Sequence, residues 1–123
     1  MLSKLRSHEK RTMQKTLEEN IGVAPSIGTK HDTGKIQWAL LPWAELKQVA
    51  QVMTVGAKKY SPDNWMHVPS GERRYFEAAI RHITVRQLGE INDPETKLPH
   101  LAHAVCCLLF WMWFDTKKRR GHK

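Results

Sequence analysis

Residues 101–114 constrain the fold more than any other part of this 123-residue chain. They contain no Asp, Glu, Lys or Arg, and Leu101, Val105, Leu108, Phe110, Trp111, Met112, Trp113 and Phe114 leave no polar stripe on a helix. A helix apolar nearly all round has to be surrounded, in a bundle centre or at a subunit interface. The run is shorter than the ~20 residues that cross a bilayer, and His103 interrupts it. A chain of this length is expected to form one domain. That leaves few other helices to cover the apolar one, so self-association into a homo-oligomer is expected.

Two further helices are expected. Pro42 suits a first turn, and Leu46, Val49, Ala50, Met53 and Ala57 then follow the spacing of one buried face. A second helix is expected over residues 72–88, with Phe76, Ala79, Ile80, Ile83 and Gln87 on one stripe. Glu77 and Arg81 lie on one flank of that stripe and Tyr75, His82 and Arg86 on the other. The third helix runs from about Pro99 to Asp115, and no strand pattern appears. The expected fold is all-α, a small helical bundle with an irregular N-terminal segment. Residues 1–29 read as a loosely helical or flexible extension, 30–116 as the helical domain and 117–123 as a basic tail.

The net charge of +8 is concentrated at the ends. Five cations without an acid in residues 117–123 and a net +2 in residues 1–20 leave only +1 for residues 21–116. A duplex-binding domain would carry its basic excess on a folded face, so nucleic acid is not the expected partner beyond weak tail contacts. Residues 1–20 mix acids and bases without the apolar block of a secretory signal. Cys106 and Cys107, adjacent in an apolar run, read as reduced core residues. These features point to a soluble cytoplasmic protein with no membrane partner.

Three groupings carry chemistry. His100 and His103, at i and i+3, share a helix face and form a spacing that chelates a metal, with His82, Glu90 and Asp93 available to complete the shell. The same spacing also fits a capping His100 and a hydrogen-bonded core His103, and both readings stand on spacing alone. Glu77 with Arg73, Arg74 and Arg81 fits either a magnesium–phosphate site or an ordinary helix ion pair. Gly56-Ala57-Lys58-Lys59-Tyr60, followed by Asn64 and Trp65, fits either a phosphate-and-base site or a cationic helix terminus with aromatics closing the core. No Walker loop, G-x-G-x-x-G or C-x-x-C is present.

Taken in order, Lys30-His31-Asp32-Thr33-Gly34-Lys35, Leu40-Leu41-Pro42, Gly56-Ala57-Lys58-Lys59-Tyr60, Asn64-Trp65, Arg81-His82 and His100-Leu101-Ala102-His103 resemble the phage-associated dATP/dGTP diphosphohydrolase N-terminal domain family. The resemblance covers residues 30–114 and implies hydrolysis of purine deoxynucleoside triphosphates to monophosphate and pyrophosphate, in the cytoplasm of a bacterial host. It also implies kinship with all-α NTP pyrophosphatases, which are helical oligomers using magnesium. Those enzymes present E-x-x-E and E-x-x-D pairs, whereas this chain offers only Glu45 on its first helix and His100-x-x-His103 on its third. Either histidines form the metal shell or no hydrolytic metal is held. On the first reading, His82, His100 and His103 hold a divalent metal, magnesium or manganese ahead of zinc. Glu77 and Asp93 are then catalytic, and Lys30, Lys35, Lys59, Tyr60, Asn64, Trp65, Arg74 and Arg81 contact the nucleotide. On the second, the domain is a sponge that sequesters a host nucleotide signal without cleaving it.

Overall fold

Three helices, α1 (Trp43–Lys59), α2 (Gly71–Gln87) and α3 (His100–Arg119), make up the main regular structure of the residues that the computed structural model describes, 27–121. Short 3-10 turns at Trp38–Leu40 and Asn64–His67 flank α1. Among the described residues there is no strand, only an isolated bridge between Asn92 and Pro99. The all-α expectation holds, and no described helix is long and apolar enough to cross a membrane. The chain divides into two compact units, Met1–Ile36 and Gln37–Lys123. The helix expected in residues 1–20 lies outside the described residues. In the first unit, the Lys30–Lys35 motif forms a turn in which the Lys35 N–H donates to the Asp32 carbonyl at 3.0 Å. Gly34 closes it at φ +82°, a region glycine enters without steric cost.

Helix α1 follows Pro42 directly, and the Leu46 N–H donates to the Pro42 carbonyl at 3.0 Å. Glu45 in the first turn and Lys58 and Lys59 in the last complement the helix dipole. Its buried residues are Val49 and Val52, with Met53 partly buried, while Ala50, expected inside, is exposed. Val49 and Val52 pack on Ala102 and Cys106 of α3, and Leu98 and Phe110 close this small core. The Cys106 thiol donates to the Val49 carbonyl at 3.3 Å. Burial pushes the Cys106 thiol up to about 12 and Cys107 up to about 11, so both stay protonated and unreactive. Both cysteines are free, as expected.

Helices α2 and α3 pack through small residues, Ala79 and Ala104, which are 1% and 4% exposed. At the far end Gly71 lies directly against the Phe114 ring, where an added Cβ would sit 2.4 Å from ring carbons. The rotation of α2 differs from expectation. Phe76, Ile80, Ile83 and Gln87 are exposed, and Tyr75 and His82, expected on a flank, turn inward. Both face α3, the Tyr75 ring against Phe110 and Phe114 and the His82 ring against His100 and His103. Helix α3 also runs past Asp115 to Arg119, so the first residues of the expected basic tail are helical, with Arg119 3.1 Å from Asp115 and Lys118 3.9 Å from Glu72.

Candidate functional site

Between α2 and α3 the chain folds back on itself tightly. The Asp93 N–H donates to the Leu98 carbonyl at 2.8 Å, the Lys97 N–H to the Asp93 carbonyl at 2.8 Å, and the His100 N–H to the Ile91 carbonyl at 2.9 Å. Asp93 anchors the turn, because its Oδ2 accepts from the Thr96 N–H at 2.9 Å and the Thr96 hydroxyl at 3.1 Å. This loop delivers Glu90, Asp93 and Thr96 to the start of α3. There His100 opens the helix behind Pro99 and His103 follows one turn later. His82 meets them from the inward face of α2.

The three imidazoles are tightly placed. His82 Nδ1 lies 2.9 Å from His100 Nδ1, and His100 Nε2 lies 2.8 Å from Glu90 Oε1. His103 Nε2 lies 2.7 Å from the Thr96 hydroxyl, and its ring stacks on His82 with centroids 4.7 Å apart. Burial lowers the pKa of His82, and the neighbouring His103 and His100 add to the effect. Burial also lowers that of His103, with Asp93 pulling the other way. Burial pushes the Asp93 carboxyl up, but the Thr96 hydrogen bonds and the adjacent imidazoles outweigh it and leave it below the ordinary value. At neutral pH the site therefore combines neutral His82 and His103 with an ionised Asp93.

This donor set fits a divalent metal. One ligand atom from each of His82, Asp93 and His100 lies within 4.8 Å of the others. The Glu90 carboxylate accepts a hydrogen bond from His100 Nε2–H, which leaves Nδ1 as the ring nitrogen turned toward His82. A carboxylate behind a ligating imidazole is the usual support of a metal-binding histidine. The 2.9 Å between the two Nδ1 atoms corresponds to an angle of roughly 90° at an ion ~2.1 Å from each, the cis angle of an octahedral site, and is short of the ~3.4 Å of a tetrahedral one.

A cavity of about 550 Å³ opens beside these residues, with His82, His103, Asp93 and Thr96 at its polar end. Its other walls come from the C-terminal half of α1 and from Trp65, Tyr75 and Phe110. Lys59 and Glu95 form a 3.1 Å ion pair between two exposed side chains of this lining. Glu95 raises the pKa of Lys59, first through that hydrogen bond. Trp65 is stacked on Phe110 at 4.4 Å and meets Trp113 edge-on at 5.2 Å. Tyr60, by contrast, is 64% exposed.

A family model described as dATP/dGTP diphosphohydrolase, N-terminal, matches residues 25–123. The chain belongs to this family. A dATP/dGTP diphosphohydrolase of Salmonella phage PMBT28 is 34% identical over 86 residues, covering 70% of this chain and 29% of the relative. The chain thus spans less than a third of the length of the relative it matches. No solved structure matches it.

Within this dATP/dGTP diphosphohydrolase N-terminal domain, the expected site residues separate into groups. His82, Asp93, His100 and His103 come together, and Lys59, Tyr60, Asn64 and Trp65 line the adjoining cavity with His82, Asp93 and His103. Glu77 does not join them. It is exposed and 3.8 Å from Arg73, as five residues from His82 place it on a different side of α2. Arg74 and Arg81 are exposed and do not line the cavity. Lys30 and Lys35 are exposed residues of the first unit. Thr96 and Glu95 were not among the expected residues. The Asp93-x-x-Thr96 spacing, a side-chain-capped turn, is the sequence signal for Thr96.

Proposed function

We propose that the cavity binds a purine deoxynucleoside triphosphate and, with a divalent metal, hydrolyses it to the monophosphate and pyrophosphate. The observation that carries this reading is the His82–His100 pair, backed by Glu90 and joined by Asp93, of which His82 and Asp93 line the polar end of an aromatic-walled cavity. His82, His100 and Asp93 would hold the metal, which when bound supplies charge neutralisation and polarises phosphate oxygen. Imidazole donors suit manganese or zinc better than magnesium, which takes oxygen ligands. Lys59, released from Glu95, would meet the phosphate charge, while Tyr60 stacks on the base and Asn64 offers its amide to the base edge. Water adds to the α-phosphorus, the bond to the bridging oxygen breaks, and pyrophosphate leaves. His103, neutral and lining the cavity, is the group to take the proton from that water.

The test is incubation with a panel of nucleoside and deoxynucleoside triphosphates and divalent metals, with products resolved by chromatography. Pyrophosphate released in equal amount with dAMP or dGMP is the expected result. Orthophosphate release would refute this cleavage position. Intact nucleotide retained by the protein would assign it the sponge role instead.

A further inference from the structure

The side of the α2–α3 pair facing away from α1 forms a second surface that the cavity does not use. Phe76, Ile80 and Ile83 fall on one stripe of α2, and Leu101, Leu108 and Met112 on one stripe of α3. All six are between 40% and 63% exposed. They lie roughly half a turn from His103 and Phe110 on α3, and well round α2 from Tyr75 and His82. Helix α1 packs elsewhere, on Ala102 and Cys106 of α3, and no charged residue occurs between positions 101 and 114.

From this we infer that two copies of the chain pair through this face, α2–α3 against α2–α3, as a four-helix packing about a two-fold axis. The six side chains leave on the order of 500 Å² per copy, the apolar centre of an interface near the ~800 Å² per partner that stable complexes bury. The rim is self-complementary. Arg73, Glu77 and Arg81 alternate in sign at i, i+4 and i+8 on the exposed side of α2. An antiparallel crossing centred near Ile80 sets Glu77 of one copy opposite Arg81 of the other, and the reverse, as an isologous contact requires. A rim of both signs suits a second copy of this chain and not an anionic membrane. The pairing leaves each cavity on the outer side, and it is independent of the proposed hydrolysis.

Sedimentation equilibrium on the full chain, across micromolar to tens of micromolar concentration, tests the pairing. The expected mass is that of two chains. Ile80→Glu and Met112→Glu, each placing one charge in the apolar centre, should weaken association at least ~10-fold. Their far-UV circular dichroism should match the wild type because both positions are already half exposed. Trp43→Glu, on α1, should leave association unchanged. A single-chain mass for the wild type at tens of micromolar would overturn the pairing, as would association that survives both face variants. Co-sedimentation of a monomeric wild type with phosphatidylglycerol vesicles would assign the face to lipid and also overturn it.

Discussion

His100 is held by both ring nitrogens, Nε2 2.8 Å from Glu90 Oε1 and Nδ1 2.9 Å from His82 Nδ1. At 4% exposure it is the one buried polar side chain among the described residues, and both of its polar atoms have partners. If His100 binds metal through Nδ1, Glu90 sets the strength of that bond without touching the ion. Glu90→Gln, whose amide oxygen still accepts from the buried His100 Nε2–H but carries no charge, should then weaken manganese or zinc affinity by ~10-fold while melting temperature changes little. Calorimetric titration of the metal checks this. Unchanged affinity in a folded variant would show that Glu90 supports only the apoprotein.

The metal-free protein should lose stability on acidification. His82 and His103 both have folded-state pKa values below the usual ~6.5, because burial penalises their charged forms. The unfolded chain therefore binds more protons than the folded one as pH falls below ~6.5, and stability drops through that window towards the folded-state values. Above ~6.5 the contribution of the two histidines is fully present and flat. Urea midpoints measured across this range in chelator should fall on the acid side. The double variant His82→Gln/His103→Gln should show a shallower fall.

Much of this arrangement is legible in the sequence. Helical periodicity fixes α1, α2 and α3 to within a few residues, because Pro42, the loops at Pro62 and Pro94, and Pro99 punctuate it. The His100-x-x-His103 spacing places two imidazoles on neighbouring turns of α3 without further information. The rotation of α2 is not legible, since Phe76, Ile80 and Ile83 form the more hydrophobic stripe and a monomer would be expected to bury it. Packing on Phe110 and Phe114, and on His100 and His103, makes Tyr75 and His82 the inward residues. For the same reason Glu77 looks like a ligand from its chemistry and fails on geometry. Thr96 reaches His103 through the fold-back of the loop, a contact that sequence spacing alone does not reveal.

Gly71 should tolerate no side chain. Its added Cβ would stand 2.4 Å from the Phe114 ring, a rigid group that itself packs on Tyr75 and Trp113. Gly71→Ala should destabilise the fold by about 1–3 kcal/mol, the cost of overpacking a well-filled contact. Phe114→Leu in the same chain should recover part of that loss. Additive losses in the double variant would show that the ring is not the obstacle.

Tyr60 and Trp65 both line the cavity, yet their surroundings assign them different work. Trp65 is committed to the fold, with one face on Phe110 at 4.4 Å and Trp113 at its edge. Tyr60 is 64% exposed, its ring met only by the Lys59 ammonium at 5.3 Å among the aromatic and cationic contacts of the described residues. A base arriving in the cavity can therefore stack on Tyr60 without displacing a packed ring, and such stacking contributes ~1–3 kcal/mol. Tyr60→Ala should weaken dATP or dGTP affinity by about 10-fold, as ~1.4 kcal/mol corresponds to that factor, and leave melting temperature nearly unchanged. Trp65→Ala should do the opposite first, lowering stability by about 2 kcal/mol or more through the lost aromatic packing. Nucleotide titration and thermal denaturation on the two variants separate the roles. A stable Trp65→Ala protein that loses nucleotide while Tyr60→Ala keeps it would exchange the two assignments.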